Sequence, residues 1–423
     1  MTTKTKWSMP LWQQVFIGLV LGVVAGSMFQ EHAEDFKILG TIFINLIKMI
    51  VGPLIFFALV TGMTSMQDSR NFTRVGLKSL TAYLLTSACA VVMGLALGNI
   101  LEPGIGLPES VKDIIHHSSV AGAAVPKPPT IGQFLISLIP TNAMRDMVED
   151  HYLQIVIFSI FTGATINMMG DKSQKARELV HEVASICFKM IELIVKLAPL
   201  AVFGFMAWMV GTMGLDIIDS LAKLMLAVLF ACFLQYLIFG VLILIFGRLS
   251  PLPFYKKIID TQVMAFSTSS SKATLSTAMR EVETKMGVSK KSTNFVLPLG
   301  ACVNMDGTAI YLGICALFFA QVFGIHLQFH DYLVLILTCT IGSVGAAGIP
   351  SGSIIFMGMV LNSVGLPLEG IGIILGVDRL LDMVRTTVNI TGDAAITLIV
   401  DSSEKTLNEK VYYSKTVKPA KKK

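Results

Sequence analysis

Six apolar runs, at 11–29, 40–66, 77–101, 131–169, 179–212 and 217–247, fill most of the first 250 residues. A helix needs about 20 mostly apolar residues to cross a hydrocarbon core, and inside that core its backbone must satisfy its own hydrogen bonds. Runs of this length offer a soluble fold no polar face. Composition agrees: 53% of the 423 residues are hydrophobic and 14% are charged, against about 25% charged in ordinary soluble domains. Mean hydropathy is +0.71. A soluble enzyme, a nucleic-acid binder and a disordered chain are excluded, which leaves an all-α polytopic membrane protein.

The net charge of +5 resides in chain ends and short loops. Lys4 and Lys6, Arg70, Arg74 and Lys78, Lys172, Lys175 and Arg177, and Arg248, Lys256 and Lys257 fall on one side if six helices alternate. By the positive-inside bias that side is the cytoplasm, and the basic tail 404–423 returns to it. Both termini are therefore expected in the cytoplasm, with the first run kept as an uncleaved helix. The fourth run is interrupted at Ile139-Pro140-Thr141-Asn142 and is expected to break there. The six cysteines lie in apolar stretches without CxxC spacing and read as small buried residues.

After residue 250 the pattern changes. The segment 258–288 has two short apolar halves around Ser267-Thr268-Ser269-Ser270-Ser271-Lys272, too short to cross and bounded by basic clusters. It reads as a re-entrant hairpin. A full span follows at 293–324. A second pair of short halves, 332–346 and 354–365, surrounds Gly345-Ala346-Ala347-Gly348-Ile349-Pro350-Ser351-Gly352-Ser353, and a last helix covers 369–400. No Lys or Arg occurs from Ser292 to Asp378, which suits an outward-facing second hairpin. Each hairpin leads to an Asn-x-x-Gly motif. Ser270 stands 34 residues before Asn304, and Gly352 stands 37 before Asn389. Each unit makes one net crossing, so the two are inverted. The expected architecture is eight transmembrane helices plus two re-entrant hairpins. Interrupted apolar segments at matching positions point to a binding site at mid-membrane.

The last helix carries Asp378, Asp382, Arg385, Asn389 and Asp393. At 100° per residue they share an arc of about 80°, and charges cannot face lipid without a cost of several kcal/mol. Arg385 is a planar fork suited to a carboxylate. Asp382, nearly one turn earlier, suits an ammonium group. Together they fit an amino acid with a side-chain carboxylate. Asp393 and Asn389, with Asp306 and Asn304 on the companion helix, offer hard oxygen ligands for a small cation. The tip Ser269-Ser270-Ser271 presents hydroxyls and helix N-terminal amides to an anionic group. Tyr83, Thr86 and Ser87 lie within one turn and read equally as helix back-bonding or as ligands.

These motifs resemble the dicarboxylate/amino acid:cation symporter family, the glutamate transporter family. The resemblance rests on Ile47-Lys48-Met49-Ile50-Val51-Gly52-Pro53-Leu54, the serine tip, Asn304-Met305-Asp306-Gly307-Thr308, Gly348-Ile349-Pro350 and the stretch from Asp382-Met383-Val384-Arg385-Thr386 to Asp393. That family's inverted repeats are themselves the worked case of the mid-membrane rule. The resemblance implies a homotrimer in the lipid bilayer of the cell inner membrane, with scaffold helices 1, 2, 4 and 5 and a sliding transport domain. Helices 3 and 6 from the segment 1–250 would join the core 251–403 in that domain. It implies sodium-coupled uptake of aspartate or glutamate, with Na+ as coupling ion and no enzymatic activity. Arg385 is then the ligand for the side-chain carboxylate and Asp382 for the amine. Ser269, Ser270, Ser271, Thr308, Ile349, Ser353, Thr386 and Asn389 complete the pocket. One implied sodium site uses Gly300, Asn304, Asn389 and Asp393. A second uses Ser343 and Ala346 carbonyls with Cys302, and a third uses Tyr83, Thr86, Ser87, Asn304 and Asp306. Met305 joins these metal ligands.

Two rivals keep or change the class. A proton-coupled glutamate or C4-dicarboxylate symporter shares the architecture, whereas an ion channel requires a continuous polar pathway. The seven histidines lie at span ends or in loops, and no GxxxxGK[ST] phosphate loop occurs. The arginine that relatives carry near the substrate is missing at Ser269 and Met383, and Lys272 is expected to replace it by pairing with an acid of the last helix. Lys272→Ala should accordingly weaken substrate affinity and alter its salt dependence, which a binding titration at two ionic strengths checks.

Overall fold

The computed structural model describes residues 11–64, 73–105, 136, 139–149, 151–345, 352–367 and 371–414. Among them it is helical throughout. In chain order the helices are α1 (Leu11–Met28), α2 (Ala33–Thr64), α3 (Thr73–Leu101), α4 (Ala143–Val148), α5 (Tyr152–Met169), α6 (Gln174–Val195), α7 (Ala198–Met213), α8 (Asp216–Ile245) and α9 (Pro251–Lys257). They continue as α10 (Ile259–Thr268), α11 (Ser271–Thr284), α12 (Lys290–Val303), α13 (Asp306–Val322), α14 (Phe329–Gly345), α15 (Gly352–Ser363), α16 (Ile371–Ser403) and α17 (Glu409–Tyr412).

Two expected elements are corrected. The run 179–212 is two helices, α6 and α7, because Pro199 opens the second. Its ring cannot follow a preceding helical turn, and it supplies no N–H. The expected span 293–324 is present as Lys290–Val322 but is broken into two helices, α12 and α13. Asn304 leaves the helical path with φ −93° and ψ 98°, and the chain re-enters the helix at Asp306. The break in the fourth run falls where Pro140 predicts it. Asn142 caps α4 there by accepting from the amides of Met144 and Arg145, both at 3.1 Å.

Three helical stretches among the described residues are long and apolar enough to cross a membrane: Arg74–Leu101, Ile218–Ile245, and Lys290–Val322 taken across its break. Gln13–Met28 and Gln30–Phe43, bent by 111°, make a fourth if counted as one span. Helix α8 shows how such a helix is partitioned. Leu226, Phe230, Phe233, Leu237, Val241 and Leu244 form an exposed apolar stripe, while Leu224, Val228, Ala231, Gln235 and Phe239 face inward. An apolar stripe of this size on the outside fits hydrocarbon as solvent. The protein is a multi-pass membrane protein.

Packing falls into two groups. Helices α1, α2, α5, α6 and α7 pack on one another. Helices α3, α8, α10 to α13 and α15 gather around α16, with α14 packed on α13 and α15, and α16 also touches α7 and α1 of the first group. Every residue of α13 from Asp306 to Ala320 is buried, as expected of a helix enclosed on all sides. Helix α10 packs on α11, and α14 on α15; each pair also lies against α16 or α13. The α10–α11 turn passes through Ser269 in the left-handed region, with φ 48°. Buried Glu281 pins the two arms by accepting from the Thr261 amide at 3.0 Å and hydroxyl at 2.5 Å.

In the first group, Gly18, Gly22 and Gly26 of α1 lie one turn apart against α7. Small residues at this spacing let helix backbones touch where no hydrophobic effect drives association. A Cβ on Gly22 would stand 2.6 Å from the Phe203 carbonyl oxygen and 2.8 Å from Met206 Cβ.

The chain end seals the second group. Lys257 Nζ donates to the carbonyls of Lys285, Val411 and Tyr412 at 2.8, 2.8 and 2.6 Å. Asp401 accepts from the Ser289 amide and hydroxyl at 3.0 and 2.6 Å. Glu404 pairs with Lys78 and with Arg74 of α3.

Two outcomes follow from this packing. Gly22→Leu should destabilise the α1–α7 pair by about 1–3 kcal/mol through overpacking, read as a lower unfolding temperature in detergent. The Lys78 hydrogen bond, opposed by burial and aided by the charges of Lys78 and Arg74, holds the Glu404 carboxyl below the ordinary glutamate range. A depressed folded value makes this contact stabilising above the ordinary glutamate value and lost as pH falls through the lowered one. Limited proteolysis should therefore cut the chain end faster in that acid window, and Glu404→Gln should remove the difference.

Candidate functional site

Helix α16 crosses the core carrying its polar residues on one face. Asp378, Asp382, Arg385, Asn389 and Asp393 are all buried. They divide into two adjoining clusters.

The first cluster centres on Arg385, which is fully buried with its guanidinium carbon 3.8 Å from the Tyr311 ring centroid. Its Nη2 donates to Asp378 Oδ1 at 2.9 Å and to Asp382 Oδ1 at 3.0 Å. Asp382 Oδ2 lies 3.5 Å from Arg379 Nη1. Ser353, near the start of α15, donates to Asp378 Oδ1 at 3.3 Å and so ties α15 to the cluster. Among the described residues, Arg385 Nε and Nη1, Arg379 Nε and Asp378 Oδ2 are buried without a hydrogen-bond partner. Buried polar groups are nearly always partnered, so three unanswered donor nitrogens beside a carboxylate outline a place for an anionic guest.

The serine tip adds to this. Ser269 and Ser271 are buried, and neither hydroxyl has a partner among the described residues. Ser270 is the N-cap of α11 and accepts from the Ala273 amide at 3.3 Å.

The second cluster forms where the α12–α13 break meets α3 and α16. Asp306 Oδ1 accepts from Ser87 at 2.7 Å and Oδ2 from Gln235 at 2.9 Å. Asn304 Nδ2 donates to Asp393 Oδ1 at 3.0 Å, while its Oδ1 accepts from Thr86 at 3.3 Å. Tyr83 donates to the Val296 carbonyl at 3.0 Å. Asn389 Oδ1 accepts the Gly307 amide at 2.8 Å, answering one of the donors that the start of α13 leaves open. Its Nδ2 reaches Met305 Sδ at 3.2 Å and Thr308 Oγ1 at 3.4 Å. Two glycines permit this density. A Cβ on Gly300 would stand 2.7 Å from both Asp393 Oδ1 and the Tyr83 hydroxyl, and one on Gly307 would stand 2.7 Å from the Arg385 carbonyl.

Among the described residues neither Asp306 nor Asp393 has an ion-pair partner, and buried Asp393 Oδ2 has no hydrogen-bond partner. Two buried carboxylates with an orphaned oxygen, surrounded by hydroxyl, amide and carbonyl oxygens, form a donor set for hard cations.

Most expected residues therefore converge. Tyr83, Thr86, Ser87, Gly300, Asn304, Met305, Asp306, Thr308, Asn389 and Asp393 share the second cluster; Asp382, Arg385 and Ser353 share the first. Thr386 follows Arg385 on α16 and is buried. Ser343 returns its hydroxyl to the Thr340 carbonyl at 2.8 Å. It lies on α14, which packs against the helix α12 that carries Cys302. Ala346 and Ile349 lie outside the described residues. Lys272 is exposed on the first turn of α11, and Arg379 is a second cation beside Asp382.

Three contributors escaped the sequence reading. Gln235 was detectable as a polar residue in the apolar helix α8. Arg379 lies about 100° around α16 from Asp378, outside the arc that singled out its neighbours. Tyr311 gives no local signal.

Residues 11–403 match the model of the Sodium:dicarboxylate symporter family. A C4-dicarboxylate transport protein of Bacillus subtilis (strain 168) is 32% identical over 401 residues, covering 94% of each chain. A proton/glutamate-aspartate symporter of Escherichia coli (strain K12) is 32% identical, covering 94% of this chain and 93% of its own. A proton/sodium-glutamate symport protein of Bacillus subtilis (strain 168) is 32% identical over 93% of both chains. The chain belongs to the Sodium:dicarboxylate symporter family.

Gln235→Leu should leave Asp306 Oδ2 without its donor and cost about 1–3 kcal/mol, measured as a lower unfolding temperature of the purified protein.

Proposed function

We propose, with membership of this symporter family as the premise, that the chain couples inward sodium movement to uptake of an acidic amino acid, aspartate or glutamate. The observation that carries this reading is the pairing of two unlike clusters on α16. One holds two guanidiniums and two carboxylates with unanswered donors; the other holds two carboxylates with no basic partner among the described residues.

The roles follow from charge. Arg385 has Nε and Nη1 uncommitted and can turn them to a substrate carboxylate as a bidentate fork. Asp382, relieved of Arg385, takes the substrate amine. The buried hydroxyls of Ser269 and Ser271 answer the other carboxylate. Cations at Asp306 and Asp393 offset the negative charge that substrate brings, because uncompensated charges at this depth are costly. Asn389 joins the two events: it caps α13 beside the cation cluster and lies one turn from Arg385. Filling one cluster thus positions the other, which is the reciprocal coupling a symporter needs.

The same reading makes the helices around α16 a body that slides against α1, α2, α5, α6 and α7, with the second hairpin as its gate, in a homotrimer of the inner membrane with both termini cytoplasmic. It is supported by the two packing groups and by the contact of Ser353 with Asp378. Proton coupling is the competing reading. It is favoured by the two buried carboxylates without an ion-pair partner among the described residues, a chemistry suited to carrying protons, and by relatives named as proton/glutamate-aspartate symporters.

Isothermal titration with L-aspartate and L-glutamate at several sodium concentrations decides between them. Affinity should rise steeply with sodium at fixed pH. Binding indifferent to sodium but dependent on pH selects the proton reading. Arg385→Lys, which keeps charge and loses the fork, should weaken binding at least tenfold in the same assay.

A further inference from the structure

The cluster around Arg385 contains one guanidinium more than an amino-acid site requires. Arg385 alone accounts for one carboxylate of the guest, and Asp382 for its amine. Yet Asp382 is held from both sides, by Arg385 at Oδ1 and by Arg379 at Oδ2. Arg379 lies three residues before Asp382 on the same helix, where side chains are neighbours, and its side chain is only 10% exposed. Its Nε is buried without a partner among the described residues. At 3.5 Å the Arg379 contact is at the limit for a hydrogen bond, whereas Arg385 lies at 3.0 Å. Asp382 Oδ2 is therefore the oxygen that a competing cation can win.

We propose that Arg379 is the specificity-determining residue of this site: it holds Asp382 in the position of a guest's ammonium group, so that a C4-dicarboxylate lacking an amine is accepted beside an acidic amino acid. This rests on the functional reading above. When the guest carries an ammonium group, that group displaces the loose Arg379 contact and pairs with Asp382. When the guest has none, Arg379 stays and keeps its positive charge beside Asp382 as a second anion enters. Removing Arg379 lowers the site's charge by one. A guest of charge −2 without an amine loses more attraction than an amino acid of charge −1, which brings its own cation to Asp382. Selectivity must then move toward the amino acid.

The test uses full-length protein in proteoliposomes, with radiolabelled L-aspartate displaced by unlabelled L-aspartate or succinate at saturating sodium. For R379Q the ratio of succinate to aspartate dissociation constants should rise at least tenfold over the unaltered protein. R379K, which restores the positive charge, should return the ratio most of the way. R379M serves in place of R379Q if the latter is not monodisperse. An R379Q or R379M ratio within twofold of the unaltered protein, while that protein binds aspartate, overturns this inference alone. Unaltered protein that binds neither guest at any sodium concentration overturns the functional reading together with it.

Discussion

A carboxylate buried far from water must be answered by a cation or by converging donors, and α16 carries four such groups at Asp378, Asp382, Asp393 and Asp401. The rest of the core is arranged around these demands. Asp401 is met by Ser289 and lies at the end near the chain terminus. Asp378 and Asp382 are met by two arginines. Asp393 is only half answered, by Asn304. The gradient along one helix runs from a saturated end, through a half-answered middle that suits cations, to a balanced cluster with spare donors.

The break between α12 and α13 makes the middle possible. A continuous helix would spend its backbone on itself and present side chains only radially. The extended Asn304 frees the chain to place Asn304, Met305 and Asp306 toward α3, α8 and α16 at once. The open amide at Gly307 is closed by Asn389. Local disruption and the means of tolerating it are thus supplied by facing motifs. Here the two repeats differ: the second Asn-x-x-Gly motif lies within the unbroken helix α16.

Much of this was legible in the residues. The hairpin around Ser269–Ser271 announced itself as short apolar halves about a polar tip, and the polar face of α16 followed from spacing. Pro140 and Asn142 marked a real break. Other features were not legible. Pro199 divides the run 179–212, whose charges all precede it, and Asn304 unwinds a stretch whose composition reads as a single span. Arg379 lies off the polar arc, and its pairing with Asp382 depends on which rotamers the surrounding helices allow. Lys257, one basic residue among several at that end, turned out to gather three carbonyls from two distant segments.

The sequence by itself determined that the chain spans a membrane and that one helix face must stay away from lipid, because hydropathy and periodicity are properties of consecutive residues. Only the tertiary structure decided which donor answers which acceptor. Gln235 and Asp306 are 71 residues apart, as Ser87 and Asp306 are 219, and nothing in either neighbourhood encodes the distance between them. That distance is fixed by how closely helices pack, through glycines such as Gly300 and Gly307, and it separates a set of buried polar residues from a site.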